Sequence, residues 1–227
     1  MRGCVLVGPY SRCHGYDGWH FITLWDLIMN KRRFLSSVGT ATAGWLAASQ
    51  AGPAMAATHG HAQPTLLTVS GALSRHNRGA LDPVVDQMMG KHGIQFSQAF
   101  VFDAASLWRL PAHTIRPTLE YDGKVHTLRG PLLSTVLRAA GVPDGGNVQL
   151  GLRAVDGYNV TLSLDEVTRG RMLLATHIDG HPMALGGLGP QWAVWDADRL
   201  PHLNDKPLKE RFAQCPWGLY HIDVAKA

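Results

Sequence analysis

Residues 173–195 read LLATHIDGHPMALGGLGPQWAVW, and the kind of fold open to the chain turns on this stretch. An apolar run opens it, Asp179-Gly180 supplies a tight turn, and a short returning segment leads into a glycine-rich loop. Gly186, Gly187 and Gly189 carry no Cβ bulk, and Pro190 sets the exit angle of the backbone. Trp192 and Trp195 follow at once, in what reads as an aromatic strand. Short strands joined by tight turns build a β-rich core. Flat side chains beside a permissive loop also offer a wall for a flat ligand.

The chain has 227 residues, the size of one ordinary domain, and 45% of them are hydrophobic, enough for a core. Its net charge of +4 comes mostly from the front. Five of the 21 basic residues and two of the 17 acidic ones precede Ala57, which leaves 16 and 15 in the remainder. A near-neutral body without a basic stripe argues against nucleic acid as a partner. The front reads as an export signal. Lys31-Arg32-Arg33 is followed by a weakly apolar run from Val38 to Ala48, and then by Ala54-Met55-Ala56, a small-x-small cleavage site. The h-region is too short to span a bilayer. Lys31-Arg32-Arg33-Phe34-Leu35 is a twin-arginine-like sequence with lysine at the first position, so both Tat and Sec export fit. The expected organisation is an N-terminal extension at 1–28 ahead of Met29, a signal peptide at 29–56, a loose start at 57–65 and one domain over 66–227. An exported, periplasmic location follows, with no membrane insertion after cleavage. Cys4 and Cys13 fall in the extension, so the mature chain keeps only Cys215 and can form no internal disulfide.

Along the mature chain the patterns predict a first strand at Leu66–Val69 and a short helix opened by Asp82-Pro83 and running to Met89. Phe96–Phe102 reads as a strand, and Asp103 as the N-cap of a helical turn over Ala104–Leu110. His113–Tyr121 and Lys124–Leu128 flank Asp122-Gly123, the strongest hairpin signal in the chain. Gly130-Pro131 is the expected start of a helix with proline at N1, and Gly141 its C′ stop. Val148–Val155 and Asn159–Leu164 read as strands around Asp156-Gly157, and Asp165 as the cap of a helix to Arg169. Lys206–Phe212 is expected to be helical, and Leu219–Val224 to be the last strand. Many short strands with a few short helices, not alternating as βαβ, place the chain in the α+β class with mixed or antiparallel sheets. No dinucleotide fingerprint, phosphate loop, nucleophile elbow or zinc helix is present.

Five pieces in order carry a resemblance: Leu67-Thr68-Val69-Ser70-Gly71; Leu110-Pro111 with Thr114-Ile115; Leu128-Arg129-Gly130-Pro131-Leu132-Leu133 running to Ala140-Gly141-Val142; Ala154-Val155-Asp156-Gly157-Tyr158; and Leu174 to Gly180 through Gly189-Pro190-Gln191-Trp192. Together they resemble the oxidoreductase molybdopterin-binding domain, the sulfite-oxidase fold, over nearly all of Leu66–Val224. Catalytic members hold molybdenum through a mid-domain cysteine thiolate, a soft donor. Here no cysteine lies between Leu66 and Gln214. The resemblance is to the short exported members that bind a free reduced, tetrahydropterin-like pterin. It implies a non-enzymatic sensor whose partner is the periplasmic domain of a membrane-bound signalling protein, a cyclic-di-GMP enzyme or a sensor kinase. A molybdopterin-dependent oxidoreductase and a ligand-free structural subunit are the alternatives.

A pterin needs an aromatic face, an acceptor for its N3–H and 2-amino edge, and a donor for O4. Trp192, at the family's Gly-Pro-x-Trp position, is the expected stacking face, and Trp195, on the opposite side of the strand, is assigned to packing. Asp156 is the expected carboxylate, with Tyr158 on its side of the strand. Arg116 and Arg129 are candidates for O4 or the pterin tail, and Gln191 for the pterin edge. His177 and Asp179 lie near the same strand end.

Overall fold

The computed structural model of the chain describes residues 63–143 and 147–226. The expected extension, signal peptide and most of the loose start lie outside the described residues. The described chain is α+β, with eleven short strands in three sheets and five short α-helices.

The largest sheet has five strands. β1 (Thr65–Gly71) lies between β2 (Ala99–Asp103) and the C-terminal β11 (Leu219–Lys226), and β5 (Val148–Ala154) and β6 (Asn159–Ser163) complete the order β2-β1-β11-β5-β6. The β1–β11 pair is parallel, with Thr68 opposite His221, and the other pairs are antiparallel. Burial alternates strictly along β5, the period of a strand with one face on the core. A four-stranded sheet runs β3 (Ala112–Ile115), β4 (Leu128–Pro131), β8 (His177–Ile178) and β9 (His181–Pro182). β7 (Leu173–Ala175) and β10 (Trp192–Val194) form a third pair. The helices are α1 (Gln87–Lys91), α2 (Ala104–Trp108), α3 (Leu133–Ala139), α4 (Leu164–Arg169) and α5 (Pro201–Asn204). One apolar core joins them: Leu67, Leu150 and Ile222 of the large sheet, Leu133 and Leu137 of α3, and Leu173, Leu174 and Trp192 of the small pair are all buried.

Local signals act as expected at several points. Asp103 caps α2, its carboxylate accepting from the Ser106 N–H at 2.7 Å. Gly141, at φ 84°, follows α3 in the left-handed conformation of a C′ glycine. Others are corrected. Pro131 ends β4 and does not start α3, whose N-cap is Leu132. The reason is Gly130: a Cβ there would lie 1.9 Å from the Leu174 carbonyl, so the glycine lets β4 press against β7 and stay extended. The cap of α4 is Ser163, in a capping box with Glu166, and Asp165 sits in the first turn. The first expected helix is reduced to α1, because Asp82 Oδ1 accepts from the Val84 and Val85 N–H groups and holds a turn there instead. Of the helix expected at 206–212 only a 3-10 turn, Leu208–Glu210, forms. Among the described residues no helix is long and apolar enough to cross a membrane.

Candidate functional site

A cleft of about 280 Å³ lies where three loops converge. The excursion between β3 and β4 contributes Glu120 and Tyr121, the β5–β6 turn contributes Asp156 and Tyr158, and the segment entering β11 contributes Phe212, Ala213, Cys215 and Trp217. Ala154 completes the lining.

Each loop is tied down by bonds that the turn residues make possible. In the β5–β6 turn, Gly157 adopts φ 92° and the Asp156 carboxylate accepts from the Tyr158 N–H at 2.9 Å, an Asx-type turn. The second oxygen of Asp156 accepts no hydrogen bond from another described residue. The Tyr158 phenol donates to the Ala213 carbonyl, joining this turn to the segment beside it. The excursion from β3 is held by Asp198, which accepts from the Thr118 N–H at 2.7 Å and from Arg211 at 3.0 Å. At its other end, His126 sits between Asp122 (3.1 Å) and Asp179 (2.6 Å).

Trp217 owes its place to the stretch from Leu188 to Ala193. Gly218, at φ 58°, donates to the Leu188 carbonyl at 3.2 Å, the Ala193 N–H donates to the Pro216 carbonyl at 3.2 Å, and the Leu219 N–H donates to the Gln191 carbonyl at 3.0 Å. A Cβ on Gly218 would crowd Val155 at 2.9 Å, so only glycine threads this gap. The glycine loop is therefore the backing of the wall, one layer behind it.

Desolvation, the neighbouring Glu120 charge and its hydrogen bond push the Tyr121 phenol up to about 12, so it keeps its proton at neutral pH. Burial likewise pushes the Cys215 thiol up to about 12, with Glu120 adding to the shift. A protonated, buried thiol is neither a nucleophile nor a ready metal ligand.

The expected site residues divide. Asp156 and Tyr158 line the cleft together. Trp192 does not: it is fully buried, its Nε1–H donates to the Cys215 carbonyl at 2.8 Å, and its ring packs on Phe212 at 5.7 Å. Its backbone bridges to Trp217, which lines the cleft and is 37% exposed. Gln191 is also fully buried; its Nε2–H₂ donates to the Leu66 and Leu219 carbonyls at 2.7 and 2.6 Å, tying β10 to the large sheet. Arg116 and Arg129 are exposed and lie outside the cleft lining, Arg129 on β4 opposite Thr114 and His177. His177 bonds Thr176 Oγ1 at 2.8 Å and packs against Trp108. Asp179 serves the His126 clamp and accepts from the Thr127 N–H at 2.9 Å. Trp195 is buried in packing, as expected, against Gly170.

Sequence reasoning missed Glu120, Tyr121 and Trp217. A signal for Tyr121 was present, because it adjoins Asp122-Gly123, and an aromatic beside a tight turn is seldom buried there. Trp217 carried the weaker sign of a tryptophan directly before a glycine at the entry to a strand. The chain matches no protein-family model and no curated protein.

Proposed function

We propose that this chain is an exported, periplasmic binding protein for a reduced pterin, built on a sulfite-oxidase-type fold, that reports the ligand to a membrane-bound signalling protein. The observation that carries this reading is the convergence of Asp156, Tyr158, Tyr121 and Trp217 on one cleft. Asp156 supplies the acceptor for the N3–H and 2-amino edge, a pairing with the geometry that carboxylates use for two parallel donors. Trp217 and Tyr121 supply aromatic surface, and base-like rings on aromatics gain about 1–3 kcal/mol each. With the phenol and thiol both protonated at neutral pH, the cleft holds a flat heterocycle and offers it no nucleophile.

A molybdenum cofactor fits these residues poorly. Cys215 is the one cysteine among the described residues, is buried, and has its thiol proton held by desolvation. The described residues also contain no group of three or more His, Cys, Asp or Glu side chains arranged for a metal.

The test is a fluorescence titration of purified protein with a tetrahydropterin under anaerobic conditions, alongside acid extraction of the protein as isolated. Wild type is expected to bind one equivalent. Trp217→Ala should weaken binding by about 5- to 150-fold and Asp156→Asn by about tenfold or more. Asp156→Asn should keep the wild-type melting curve, and Trp217→Ala should lower it only slightly. Stoichiometric molybdenum, or a protein that refuses pterin altogether, refutes the reading.

A further inference from the structure

One face of the five-stranded sheet packs on the core, and the other is polar. The segment Gly93-Ile94-Gln95 runs along it and borders a cavity of about 410 Å³ that is partly open to solvent. Ile94 anchors this cover in a small apolar cluster with Met89 and Tyr220, and Phe96 stacks on His221 at 6.5 Å with the rings 15° apart. The floor is laid out by register. His221 of β11 lies opposite Arg153 of β5, and Asp223 lies opposite Gly151. Arg153 and Asp223 are therefore diagonal neighbours on one face, about 7–8 Å apart at the backbone.

Opposite charges so placed commonly pair, and these do not. Among the described residues neither Arg153 nor Asp223 enters an ion pair. Arg153 spends one N–H on the Gly157 carbonyl at 3.3 Å, out of five donors in the guanidinium. Asp223 Oδ1 receives only a long contact of 3.5 Å from Ser70 Oγ. His221, buried and bonded to Ser70 Oγ at 2.9 Å, is held down at about 4 by burial and by Arg153 and Arg78, so it adds no charge at neutral pH. Between the two charges Gly151 leaves a dimple in the middle of the sheet. A Cβ there would meet Asp223 Cβ at 3.5 Å and Asn159 Oδ1 at 3.7 Å, ordinary contacts, so neither backbone nor packing demands a glycine.

A simple anion on Arg153 would be repelled by the Asp223 carboxylate, and a simple cation on Asp223 by the Arg153 guanidinium, because the two charges are neighbours on one face. A ligand carrying both signs uses both. We propose that the cavity over Gly151 is a second ligand site, for a small zwitterion of the free α-amino-acid type, with its carboxylate on Arg153 and its ammonium on Asp223. Gln95, Gln149, Asn159 and Thr161 line the remaining wall with neutral donors and acceptors and leave room for the ligand's side chain.

The experiment is isothermal titration of the purified chain with a panel of free L-amino acids, each matched to its N-acetylated and carboxamide forms. At least one free amino acid is expected to bind one to one. Its two blocked forms should bind about tenfold more weakly or worse, each having lost one charge-assisted contact. Asp223→Asn and Arg153→Gln should each weaken it to the same degree. Gly151→Val suits a strand, fills the dimple, and should abolish binding while leaving the melting temperature and tetrahydropterin binding unchanged. The proposal is overturned if no amino acid binds wild type, if blocked forms bind equally well, or if Gly151→Val retains wild-type affinity.

Discussion

Trp192 and Trp217 face each other across a backbone bridge, but Trp192 is wholly buried and Trp217 keeps part of its ring exposed. Their substitutions should separate accordingly. Trp192→Ala leaves a cavity beside Phe212 and orphans the Cys215 carbonyl, and is expected to cost about 3–5 kcal/mol in a urea melt. Trp217→Ala should lose ligand with far less effect on that melt. His221 makes a second residue-scale prediction. Its folded value of about 4 lies below the ordinary 6.5, so between these two the unfolded chain binds a proton that the folded chain does not. Stability should therefore fall as the pH drops from 6.5 towards 4, by on the order of 3 kcal/mol at the low end. Denaturant melts across this range would show it, and His221→Gln should flatten the slope.

The element that most affects the candidate cleft is the excursion between β3 and β4, and His126 straps it down. Hydrogen bonds to Asp179 and then Asp122 raise the His126 value above 6.5, while a backbone bond and His126 itself hold both carboxylates below 3.8. The histidine's contribution is full below about pH 6.5 and lost as the pH rises through its raised folded value. Those of the carboxylates are full above 3.8 and lost as the pH falls through their depressed values. The strap is firmest in the weakly acidic range between. Amide exchange at 118–126, corrected for the intrinsic rate, should be slowest there and speed up towards alkaline pH, with His126→Ala removing the dependence. This element was half legible. Asp122-Gly123 marked its turn, whereas its partner Asp179 lies 53 residues from His126 and no local pattern connects them.

Across the whole molecule, the last strand occupies the middle of the largest sheet, parallel to the first and antiparallel to β5. Deleting residues 219–226 removes pairing from β1 and β5 at once and strips Leu219, Ile222 and Val224 from the core. The expected result is a chain without a cooperative unfolding transition by circular dichroism. Strand periods, turn dipeptides and caps are local, set by residues within a few positions, so the α+β class, the Asp156-Gly157 turn and the Asp103 cap could be read from order alone. Close approaches are not local. Gly130 is small because Leu174 passes over it, which is why Pro131 ends a strand and does not begin a helix. The same holds for the two tryptophans. That a glycine loop precedes an aromatic strand, and that Asp156 and Tyr158 share a turn, follows from residue order alone. Which tryptophan reaches the surface is settled by packing, because burial depends on what the segment before β11 meets, and that segment lies far along the chain from the loop that seats it.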